Sequence, residues 1–428
     1  MAKTSNIAGV KGFRDLLPPE SARWAGLERT AAEVFGRYGF GEIRLAVVER
    51  SDLFARSLGD TTDIVEKEMY SFEDRDGTWL TLRPEATAGV VRAFVESGLV
   101  HRDPTARLWY AGPMFRRERP QKGRFRQFYQ IGAEAFGRQD PVVDAELLEM
   151  LSRYLAAVGV QNVRLELNSL GDATCRPQFR ARLEAFARAH LDGLCADCHR
   201  RLERNPLRLL DCKVEGCRAI MERAPVPADS LCDPCRAHFA AVRTLLDAER
   251  VPYQVAPRLV RGLDYYCRTA FEVIADGLGA QNAMGGGGRY DGLVAAIGGG
   301  DVPGVGFAIG LDRLAMVLEG TPVVEPLPAA IILPLSEAAV GPAFTLATRL
   351  RAQGLFVGVE AAGRSLKALL RAADRQRARV AILIGESELA AGRATIRDLE
   401  RRLDRPQALP LDASGPELAA ALGGGDAT

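Results

Sequence analysis

The sequence lacks any apolar segment approaching the roughly 20 residues that a membrane-spanning helix requires. Its first residues, MAKTSNIAGVKG, also lack the apolar core of a secretory signal peptide. Both absences predict a cytoplasmic protein with no membrane partner. The length of 428 residues is enough for two or three domains with separate cores, which argues against a single small binding module.

The chain also lacks an excess of charge of either sign. It contains 56 Lys and Arg residues and 55 Asp and Glu residues, and its formal net charge is +1. A polyanionic partner must therefore be bound by local basic patches. One such patch is MFRRERPQKGRFRQFYQ, from Met114 to Gln130, which holds six Lys and Arg residues and the single acid Glu118.

Eight cysteines in an intracellular chain of this length argue against a disulfide framework. Two Cys-x-x-Cys pairs have the spacing of zinc knuckles, although about 35 residues separate them, more than in a common zinc ribbon. We predict one structural Zn²⁺ that stabilises a small insertion, with the two pairs as ligands: Cys195, Cys198, Cys232 and Cys235. Cys212 and Cys217 lie between the pairs, and incidental buried thiols are the alternative.

The first 170 residues mix helical and strand patterns. The segment from Pro19 to about Tyr38 is an amphipathic helix, with apolar residues at Trp24, Leu27, Ala31, Val34 and Phe35. Two β-rich runs, RLWYAGPMFRRE and GRFRQFYQIGAEAFG, flank a loop from Pro120 to Gly123. This arrangement predicts a hairpin, and the basic patch straddles its turn.

Side chains in the second run alternate between two faces of the predicted strand. The apolar set, which we predict to be buried, is Tyr129, Ile131 and Ala133. The opposite set is Phe128, Gln130, Gly132 and Glu134. A glycine between two polar residues suggests close approach of a ligand, and a solvated sheet face is the alternative.

The composition changes near Gly171, where the sequence becomes rich in Arg, Leu and Cys and its apolar residues recur with a helical period. Strand patterns resume with RLVRGLDYYCRTAFEVIA, and the glycine-rich AMGGGGRYDGL that follows is, by itself, consistent with a flexible loop. Three prolines in TPVVEPLP indicate a linker. Alternating strands and helices then predict a small α/β domain, and the tail GGGDAT is predicted to be disordered.

Three further positions suggest a ligand site, although each also has a simpler explanation. Glu85 in LRPEATAG stands where a helix begins, and the helix dipole alone would favour a carboxylate there. Arg261 lies beside two tyrosines and must be paired or ligand-bound if it is buried. Arg313 follows GVGFAIG at a strand-to-helix turn, a position that suits phosphate binding but is also a common turn.

Five segments together resemble the histidyl-tRNA synthetases, a family of class II aminoacyl-tRNA synthetases. GFRDLLPPE resembles the family's N-terminal signature, GPMFRRERPQKGRFRQFYQIGAEAFG resembles class II motif 2, and GVGFAIGLDRL resembles motif 3. LVRGLDYY and GGGGRYDGL resemble the two histidine-specific motifs. The resemblance covers nearly the whole chain, and RGLDYY is the segment that indicates the amino acid.

The resemblance implies an α+β protein built on the antiparallel sheet of a class II catalytic domain. The implied catalytic domain occupies residues 1–170 and 258–320, with a mostly helical, Cys-rich insertion at 171–257. An α/β anticodon-binding domain is implied at 329–421. The N-terminal helix and the strand after it resemble class II motif 1, which implies a homodimer.

The implied function is that of a histidine--tRNA ligase, the ATP-dependent attachment of L-histidine to tRNA(His) through a histidyl-adenylate, with Mg²⁺ accompanying the pyrophosphate. Catalysis by positioning and charge neutralisation would explain why the chain offers arginines and no Ser/His/Asp constellation. A non-catalytic histidine-binding paralogue, such as the regulatory subunit of ATP phosphoribosyltransferase, is the alternative. Such subunits usually lack the C-terminal domain and the catalytic arginines.

The resemblance also assigns residues to the site. Arg261 and Arg116 would be catalytic, and the histidine-binding residues would be Glu85, Thr87, Gln130, Glu134, Tyr265 and Tyr266. The ATP-binding residues would be Arg116, Arg124, Phe128 and Arg313. Strict alternation puts Tyr265 and Tyr266 on opposite faces of a strand, so that one of them would be a core residue, and we favour Tyr266 as the ligand.

The tip of the basic hairpin is the part free to reach the tRNA acceptor end. Its residues are Arg119, Gln121 and Lys122, around Pro120 and Gly123. Arg117 and Arg126 have no predicted role. In the C-terminal domain, Arg364, Lys367 and Arg371 form a basic face at helical spacing, which would serve either tRNA contact or solvation.

Overall fold

The computed structural model describes residues 7–59, 62–121, 123–276, 278, 282–320, 327–405 and 408–413. The chain forms two compact units, Met1–Val323 and Val324–Thr428. Most of the predicted linker (residues 321–326), the predicted disordered tail and Lys122 lie outside the described residues. Within the described ranges, no helix is long and apolar enough to cross a membrane.

The first unit contains strands and helices in mixed order. Its strands are β1 (Gly41–Glu42), β2 (Val48–Arg50), β3 (Tyr70–Glu73), β4 (Trp79–Leu82), β5 (Arg107–Phe115), β6 (Gln127–Phe136), β7 (Val163–Ser169), β8 (Gln254–Val255), β9 (Cys267–Ala275), β10 (Ala283–Arg289) and β11 (Gly304–Gly310). Its α-helices are α1 (Glu20–Gly36), α2 (Ser51–Leu58), α3 (Thr87–Glu96), α4 (Leu99–Arg102), α5 (Pro141–Ala157), α6 (Arg176–Ala189), α7 (Ala196–Arg204), α8 (Glu215–Met221), α9 (Asp233–Ala248), α10 (Leu293–Ala296) and α11 (Leu311–Val317). A π-helical turn spans Ile64–Glu68, and 3-10 turns span Leu191–Gly193, Pro206–Leu209 and Pro227–Ser230.

The main sheet of the described first unit has eight strands in the order β1-β5-β6-β11-β10-β9-β7-β8. Its central pairs are antiparallel, whereas the outer pairs β1–β5 and β7–β8 are parallel. A smaller sheet has the order β2-β4-β3. The predicted α+β class with an antiparallel catalytic sheet is confirmed.

Helix α1 lies where its apolar spacing predicted it. Side chains that recur every three or four residues form one stripe along a helix, and the buried residues of α1 are Trp24, Leu27, Ala31, Val34 and Phe35. This stripe packs with α5 and with Ile131 and Ala133 of β6 in the largest core cluster. Of the three residues predicted to be buried on the apolar face of β6, Ile131 and Ala133 are buried and Tyr129 is partly buried. The opposite face is not a solvated one, because Gly132 and Glu134 are buried as well.

The basic patch forms the hairpin that its sequence predicted. Strand β5 ends at Phe115 and β6 begins at Gln127, and the two strands pair along their whole lengths. Arg14, in the N-terminal GFRD segment, and Asp312, at the start of α11, secure the hairpin from one side. Asp312 accepts hydrogen bonds from Arg14 Nη2 at 3.0 Å and from the Tyr129 backbone N–H at 2.9 Å.

The glycine-rich run does not form a flexible loop. Gly285–Gly288 are part of β10, which lies between β9 and β11 in the main sheet. A Cβ at Gly286 would lie 2.8 Å from Arg261 Nη1, and a Cβ at Gly306 of β11 would overlap the Glu134 carboxylate. Glycine is needed at both positions because the backbone of a neighbouring strand, together with a polar side chain from another segment, leaves no room for a Cβ.

Helices occupy most of the chain between β7 and β8, as the helical period predicted. Apolar residues of α6 and α7 and the 3-10 turn after them share one small core, in which Cys198, Cys212 and Cys217 are also buried. The boundaries at 171 and 257 stay predictions.

The second unit alternates strands and helices, in agreement with the predicted α/β pattern. Its strands are β12 (Ala330–Pro334), β13 (Val357–Val359), β14 (Val380–Ile384), β15 (Arg393–Asp398), β16 (Leu403–Asp404) and β17 (Leu409–Pro410). Its helices are α12 (Val340–Ala352), α13 (Leu366–Arg375) and α14 (Glu386–Ala391), with a 3-10 turn at Glu337–Ala339. Strands β13, β12 and β14 are parallel, and β15 pairs antiparallel with β14.

A buried ionic network joins β10 to α5 and α9. Arg289 has no exposed surface, and its guanidinium donates to Asp144 Oδ2 at 2.6 Å and to Asp291 Oδ1 at 3.0 Å. His238 Nε2 lies 3.3 Å from the same Asp144 oxygen. Burial raises the pKa of Asp144, but the adjacent His238 and Arg289 outweigh it, so the pKa is lowered overall.

We expect Asp144→Ala to lower the free energy of unfolding by about 3–5 kcal/mol, because Arg289 would remain buried without its closest carboxylate. Glu96→Ala is the matched control, since Glu96 is 71% exposed in its ion pair with Arg92 and should cost less than about 1 kcal/mol. Urea unfolding of the two variants measures the difference. Similar losses in both would contradict the assignment of the network as a stabilising core element.

Candidate active site

Glu85 caps the N-terminus of α3 from a buried position. Its carboxylate accepts the backbone N–H groups of Thr87 at 2.7 Å and Ala88 at 2.8 Å. The simpler explanation from the sequence, a carboxylate favoured at a helix start, is therefore part of its environment. Arg116 lies next to this turn, because its Nε donates to the carbonyl of Pro84 at 2.9 Å.

Glu134 of β6 lies fully buried beside that turn. Thr87 Oγ1 donates to Glu134 Oε1 at 2.7 Å, and the Tyr290 hydroxyl donates to Oε2 at 2.6 Å. The absence of a side chain at Gly306 leaves the space that this carboxylate fills. The sequence predicted Glu134 as a polar-face residue, and the structure places it in the interior of the molecule.

Burial raises the pKa of Glu134 to about 8, although the hydrogen bonds from Tyr290 and Thr87 act in the opposite direction. Burial likewise raises the pKa of Glu85 against its two backbone hydrogen bonds. Burial therefore favours the neutral form of the Glu134 carboxyl. A ligand that donates an N–H to this group would favour its ionised form.

Tyr265 and Tyr266 lie side by side, not on opposite faces of a strand. Strand β9 begins only at Cys267, so the alternation rule does not apply to the two residues before it. Their rings have centroids 4.5 Å apart, and the Tyr265 ring packs edge-on against Tyr290 at 5.8 Å. The expectation that alternation separates the two tyrosines is wrong, and both stand close to the Tyr290–Glu134 pair.

Arg261 lies against the same tyrosines. Its Nη1 donates to Glu272 Oε1 at 2.5 Å, and its guanidinium carbon lies 5.4 Å from the centre of the Tyr266 ring. Gly286 leaves room for it, as described above. The Glu272 carboxylate and the Tyr266 ring thus hold the guanidinium in a fixed position next to Gly286.

Buried polar atoms without a partner border this cluster. Among the described residues, no hydrogen-bond partner is present for Gln130 Oε1, Arg261 Nε or the Tyr110 hydroxyl. Buried polar atoms are normally satisfied, so several orphans around one cluster indicate a place where a polar ligand completes the hydrogen bonds. Gly132 does not mark the ligand approach suggested from the sequence, because the Tyr110 hydroxyl occupies the space beside it.

The predicted ATP residues lie on the hairpin and on α11. The Arg116 guanidinium stands 5.3 Å from the centre of the half-buried Phe128 ring. Arg124 donates to Glu118 Oε2 at 2.8 Å, and Arg313 contacts the carbonyl of Ala283. Burial, followed by the nearby charge of Arg124, lowers the pKa of Arg313. Two arginines that repel each other are suited to share an anionic ligand.

The chain is similar to known proteins over nearly its whole length. A family model described as histidyl-tRNA synthetase matches residues 12–314, and one described as an anticodon binding domain matches residues 329–414. The chain belongs to the histidyl-tRNA synthetase family. The histidine--tRNA ligase of Syntrophotalea carbinolica is 50% identical to this chain over 404 residues, which cover 94% of this chain and 96% of that protein. The histidine--tRNA ligase of Trichlorobacter lovleyi is 49% identical to it over 423 residues, which cover 99% of this chain and 100% of that protein. The structure of the histidyl-tRNA synthetase of S. aureus matches with a TM-score of 0.81 at 33% identity, covering 95% of this chain and 98% of that one.

Membership of the histidyl-tRNA synthetase family confirms the resemblance and the ligase class. The roles of individual residues stay predictions that the geometry supports to different degrees. Two side chains of the cluster, Tyr110 and Tyr290, received no role from the sequence. Tyr290 stands in the GGGGRYDGL motif, so a signal was present, whereas nothing in the pattern of β5 distinguishes Tyr110 from a core residue.

Arg126, which had no predicted role, holds the N-terminal segment against the hairpin. Its backbone N–H donates to the carbonyl of Gly12 at 2.8 Å, and its side chain lies beside that glycine. Arg117 is exposed, and its backbone N–H donates to the carbonyl of Glu68 at 2.7 Å. Neither contact involves the buried cluster around Glu134.

The structure does not bring together the four cysteines that we predicted to share one zinc ion. Cys195 and Cys198 lie with Cys212 and Cys217, whereas the other pair lies in a second cluster with Asp172 and Cys175. The shared Cys195, Cys198, Cys232 and Cys235 site is therefore wrong. Spacing along the chain identified both pairs, but it could not show that helices α6 to α9 carry them to different places.

The raised pKa of Glu134 predicts how stability depends on pH. The usual pKa of a glutamate side chain is 4.5, so between pH 4.5 and about 8 the folded protein holds a proton that the unfolded chain has lost. The stability contributed by this proton is full below the unfolded pKa and is lost as pH rises through the folded pKa. We expect the free energy of unfolding of ligand-free protein to fall over this range more steeply than in Glu134→Gln.

Denaturant unfolding at several pH values measures this difference. Glu96→Gln is the control, because Glu96 is an exposed carboxyl away from the buried cluster, and this variant should keep the steep fall of the wild type. Parallel profiles for wild type and Glu134→Gln would show that Glu134 titrates normally and would contradict the assignment.

Proposed function

We propose that this protein attaches L-histidine to tRNA(His) in two steps that consume ATP. The observation that carries the proposal is the buried Glu134 carboxyl with Thr87 and Tyr290, beside the Tyr265–Tyr266 pair and an Arg261 whose Nε has no partner among the described residues. Such a cluster suits a small polar ligand with two nitrogens on one ring edge. Family membership supplies the reaction class.

In the first step, a carboxylate oxygen of histidine attacks the α-phosphorus of ATP. A phosphorus–oxygen bond forms, the bond to the bridging oxygen of the β-phosphate breaks, and pyrophosphate leaves with the electron pair of that bond. No enzyme nucleophile is required, so the protein contributes by holding the reactants in line and neutralising phosphate charge.

On the histidine side, we assign the α-amino group to Glu85, Thr87 and Gln130, and the imidazole to Glu134 and Tyr266. The Gln130 amide oxygen, which has no partner among the described residues, is a suitable acceptor for an ammonium N–H. A carboxylate and a phenol can satisfy both imidazole nitrogens. An apolar side chain of the same size would leave these groups unpaired, which is a strong basis for specificity.

On the ATP side, Arg116 would contact the α-phosphate and Phe128 would stack on adenine. Arg124 and Arg313 would bind the outer phosphates, and Mg²⁺ would accompany the pyrophosphate as hard cations do. Arg261 would stand against the α-phosphate and the histidine carboxylate. Its position between Glu272 and the Tyr266 ring fixes its guanidinium for such a contact.

In the second step, the terminal adenosine hydroxyl of tRNA(His) takes the acyl group and AMP leaves. We assign Arg119 and Gln121, at the described part of the hairpin tip, to this acceptor end. The second unit would bind the anticodon. Lys367 and Arg371 are exposed one turn apart on α13, whereas Arg364 precedes the helix and pairs with Glu360 at 3.1 Å, so the predicted basic face has two members on the helix.

A homodimer and a cytoplasmic location belong to the same proposal. The non-catalytic histidine-binding alternative is not favoured, because the chain retains Arg116, Arg261 and Arg313 and a second unit that matches the anticodon binding domain. ATP–pyrophosphate exchange across a panel of amino acids tests the choice directly. Histidine-dependent exchange is expected, and no exchange with histidine would reject the synthetase proposal.

We expect Arg116→Ala to reduce the rate of histidine-dependent exchange by about 10²–10³-fold, because a preorganised charge at the α-phosphate would be lost. Arg117→Ala is the matched control: this neighbouring arginine is exposed and should leave exchange unchanged. Gln121→Ala should spare exchange and weaken aminoacylation of tRNA(His). Equal loss of exchange in the Arg116 and Gln121 variants would contradict the division of the hairpin into an ATP-facing base and a tRNA-facing tip.

A further inference from the structure

Seven of the eight cysteines lie outside the site described above, between Gly171 and Ala248, and all eight are free thiols. The sequence presented a difficulty, because its two Cys-x-x-Cys pairs and two further cysteines exceed the four ligands of one tetrahedral ion. The fold resolves this difficulty by sorting seven cysteines and Asp172 into two groups of four. Each group can be judged on its own geometry.

The first group consists of Cys195, Cys198, Cys212 and Cys217, and we refer to it as the four-cysteine cluster. Their Sγ atoms all lie within 4.8 Å of one another. Cys195 stands just before α7 and Cys198 lies in its first turn, whereas Cys217 lies on α8. Three separate segments therefore bring four sulfurs to one point.

The sulfur spacing fits a tetrahedral metal site. A zinc–sulfur bond of ~2.3 Å places tetrahedral sulfurs roughly 3.8 Å apart. Cys195 Sγ lies 3.9 Å from Cys212 Sγ, close to this value and far beyond the ~2.05 Å of a disulfide. The backbone N–H of Cys195 also donates to Cys217 Sγ at 3.1 Å, the kind of outer contact that orients a metal-bound thiolate.

We propose that the four-cysteine cluster holds a structural Zn²⁺. Four thiolates fill a tetrahedral coordination shell, so no position remains for a substrate and the site is closed. Buried thiols that merely fill a core are the competing explanation, since Cys198, Cys212 and Cys217 also contact apolar side chains. Core packing alone gives no reason for four sulfurs from three segments to converge.

A second, independent observation carries a second site. Cys175, Cys232, Cys235 and Asp172 have their ligand atoms within 4.8 Å of one another, and we call this group the aspartate-cysteine cluster. Asp172 Oδ1 lies 3.7 Å from Cys175 Sγ and 3.9 Å from Cys232 Sγ. Its other oxygen accepts from Arg268 Nη2 at 3.3 Å, which fixes the carboxylate from outside. The geometry points to a second Zn²⁺ here, held by three thiolates and one carboxylate.

The four-cysteine cluster stands next to the segments that support the active site. Helix α7 ends at Arg204, and Asn205 directly after it donates to Asp264 Oδ1 at 2.5 Å. Arg208, in the 3-10 turn that follows, lies 3.5 Å from Asp63 and beside Gly262. Metal bound at the start of α7 would therefore help to fix the RGLDYY segment, through the contacts of Asn205 with Asp264 and of Arg208 with Gly262.

Elemental analysis of the full-length protein, purified without chelator, tests both sites. We expect two zinc ions per chain in the wild type, one in Cys212→Ser and one in Cys232→Ser. Cys267→Ser is the matched control, because Cys267 belongs to neither cluster, and it should retain both ions. A double Cys212→Ser, Cys232→Ser variant should retain none.

The outcomes separate the two proposals. A wild type with essentially no zinc overturns both, and iron in place of zinc overturns the identity of the metal. Full zinc content in Cys212→Ser overturns the four-cysteine site, and full content in Cys232→Ser overturns the aspartate-cysteine site. A single ion that is lost in either variant would show one shared site and would overturn the separation.

Cobalt substitution of the wild-type protein covers the case in which a serine variant fails to fold. Co²⁺ in these sites should show the intense visible bands of tetrahedral thiolate coordination together with sulfur-to-cobalt charge transfer. A mercurial reagent that modifies the thiols should release the zinc in parallel. A weak octahedral spectrum, or thiol modification without release of metal, would overturn the proposal without any variant.

Discussion

The burial of one carboxyl group, Glu134, is the constraint on which the site depends. A carboxyl in the interior is tolerated only if hydrogen bonds replace its lost water, and Thr87 and Tyr290 supply them. Thr87 is available because Glu85 caps the start of α3. Tyr290 directly follows the glycine-rich strand β10, and its hydroxyl reaches Glu134 of β6 across the intervening strand β11. The glycines, the helix start and the tyrosines therefore serve a single polar centre.

A similar constraint applies to the arginines. A guanidinium stays charged, so it must be paired with an acceptor or exposed to solvent. Arg289 is paired with Asp144 in the core and stabilises the fold. Arg261 has one carboxylate partner, and its Nε has no partner within the described part of the chain, so this atom can bond to a ligand.

Sequence patterns predicted the elements whose residues interact mainly with neighbours along the chain. The stripe from Trp24 to Phe35 and the hairpin around the basic patch follow from local period. The predictions that were wrong concern residues whose environment is set by another segment of the chain. Gly285–Gly288 suggest a flexible loop in the sequence but are part of β10, where the neighbouring strand and Arg261 leave no room for a Cβ at Gly286. The two Cys-x-x-Cys pairs look equivalent in sequence and are separated only by the packing of four helices.

The central claim is that Gly306 of β11 makes room for a histidine-binding carboxyl, and Gly306→Ala tests it most directly. A methyl group there would displace the Glu134 carboxylate, whereas no heavy atom of the described residues would lie within 4 Å of a Cβ added at Gly292. The measurement is the affinity for L-histidine and for ATP, by calorimetry on both variants. The account predicts a loss of histidine affinity of at least about tenfold in Gly306→Ala, with ATP affinity retained and Gly292→Ala unaffected. Unchanged histidine affinity in Gly306→Ala would contradict it.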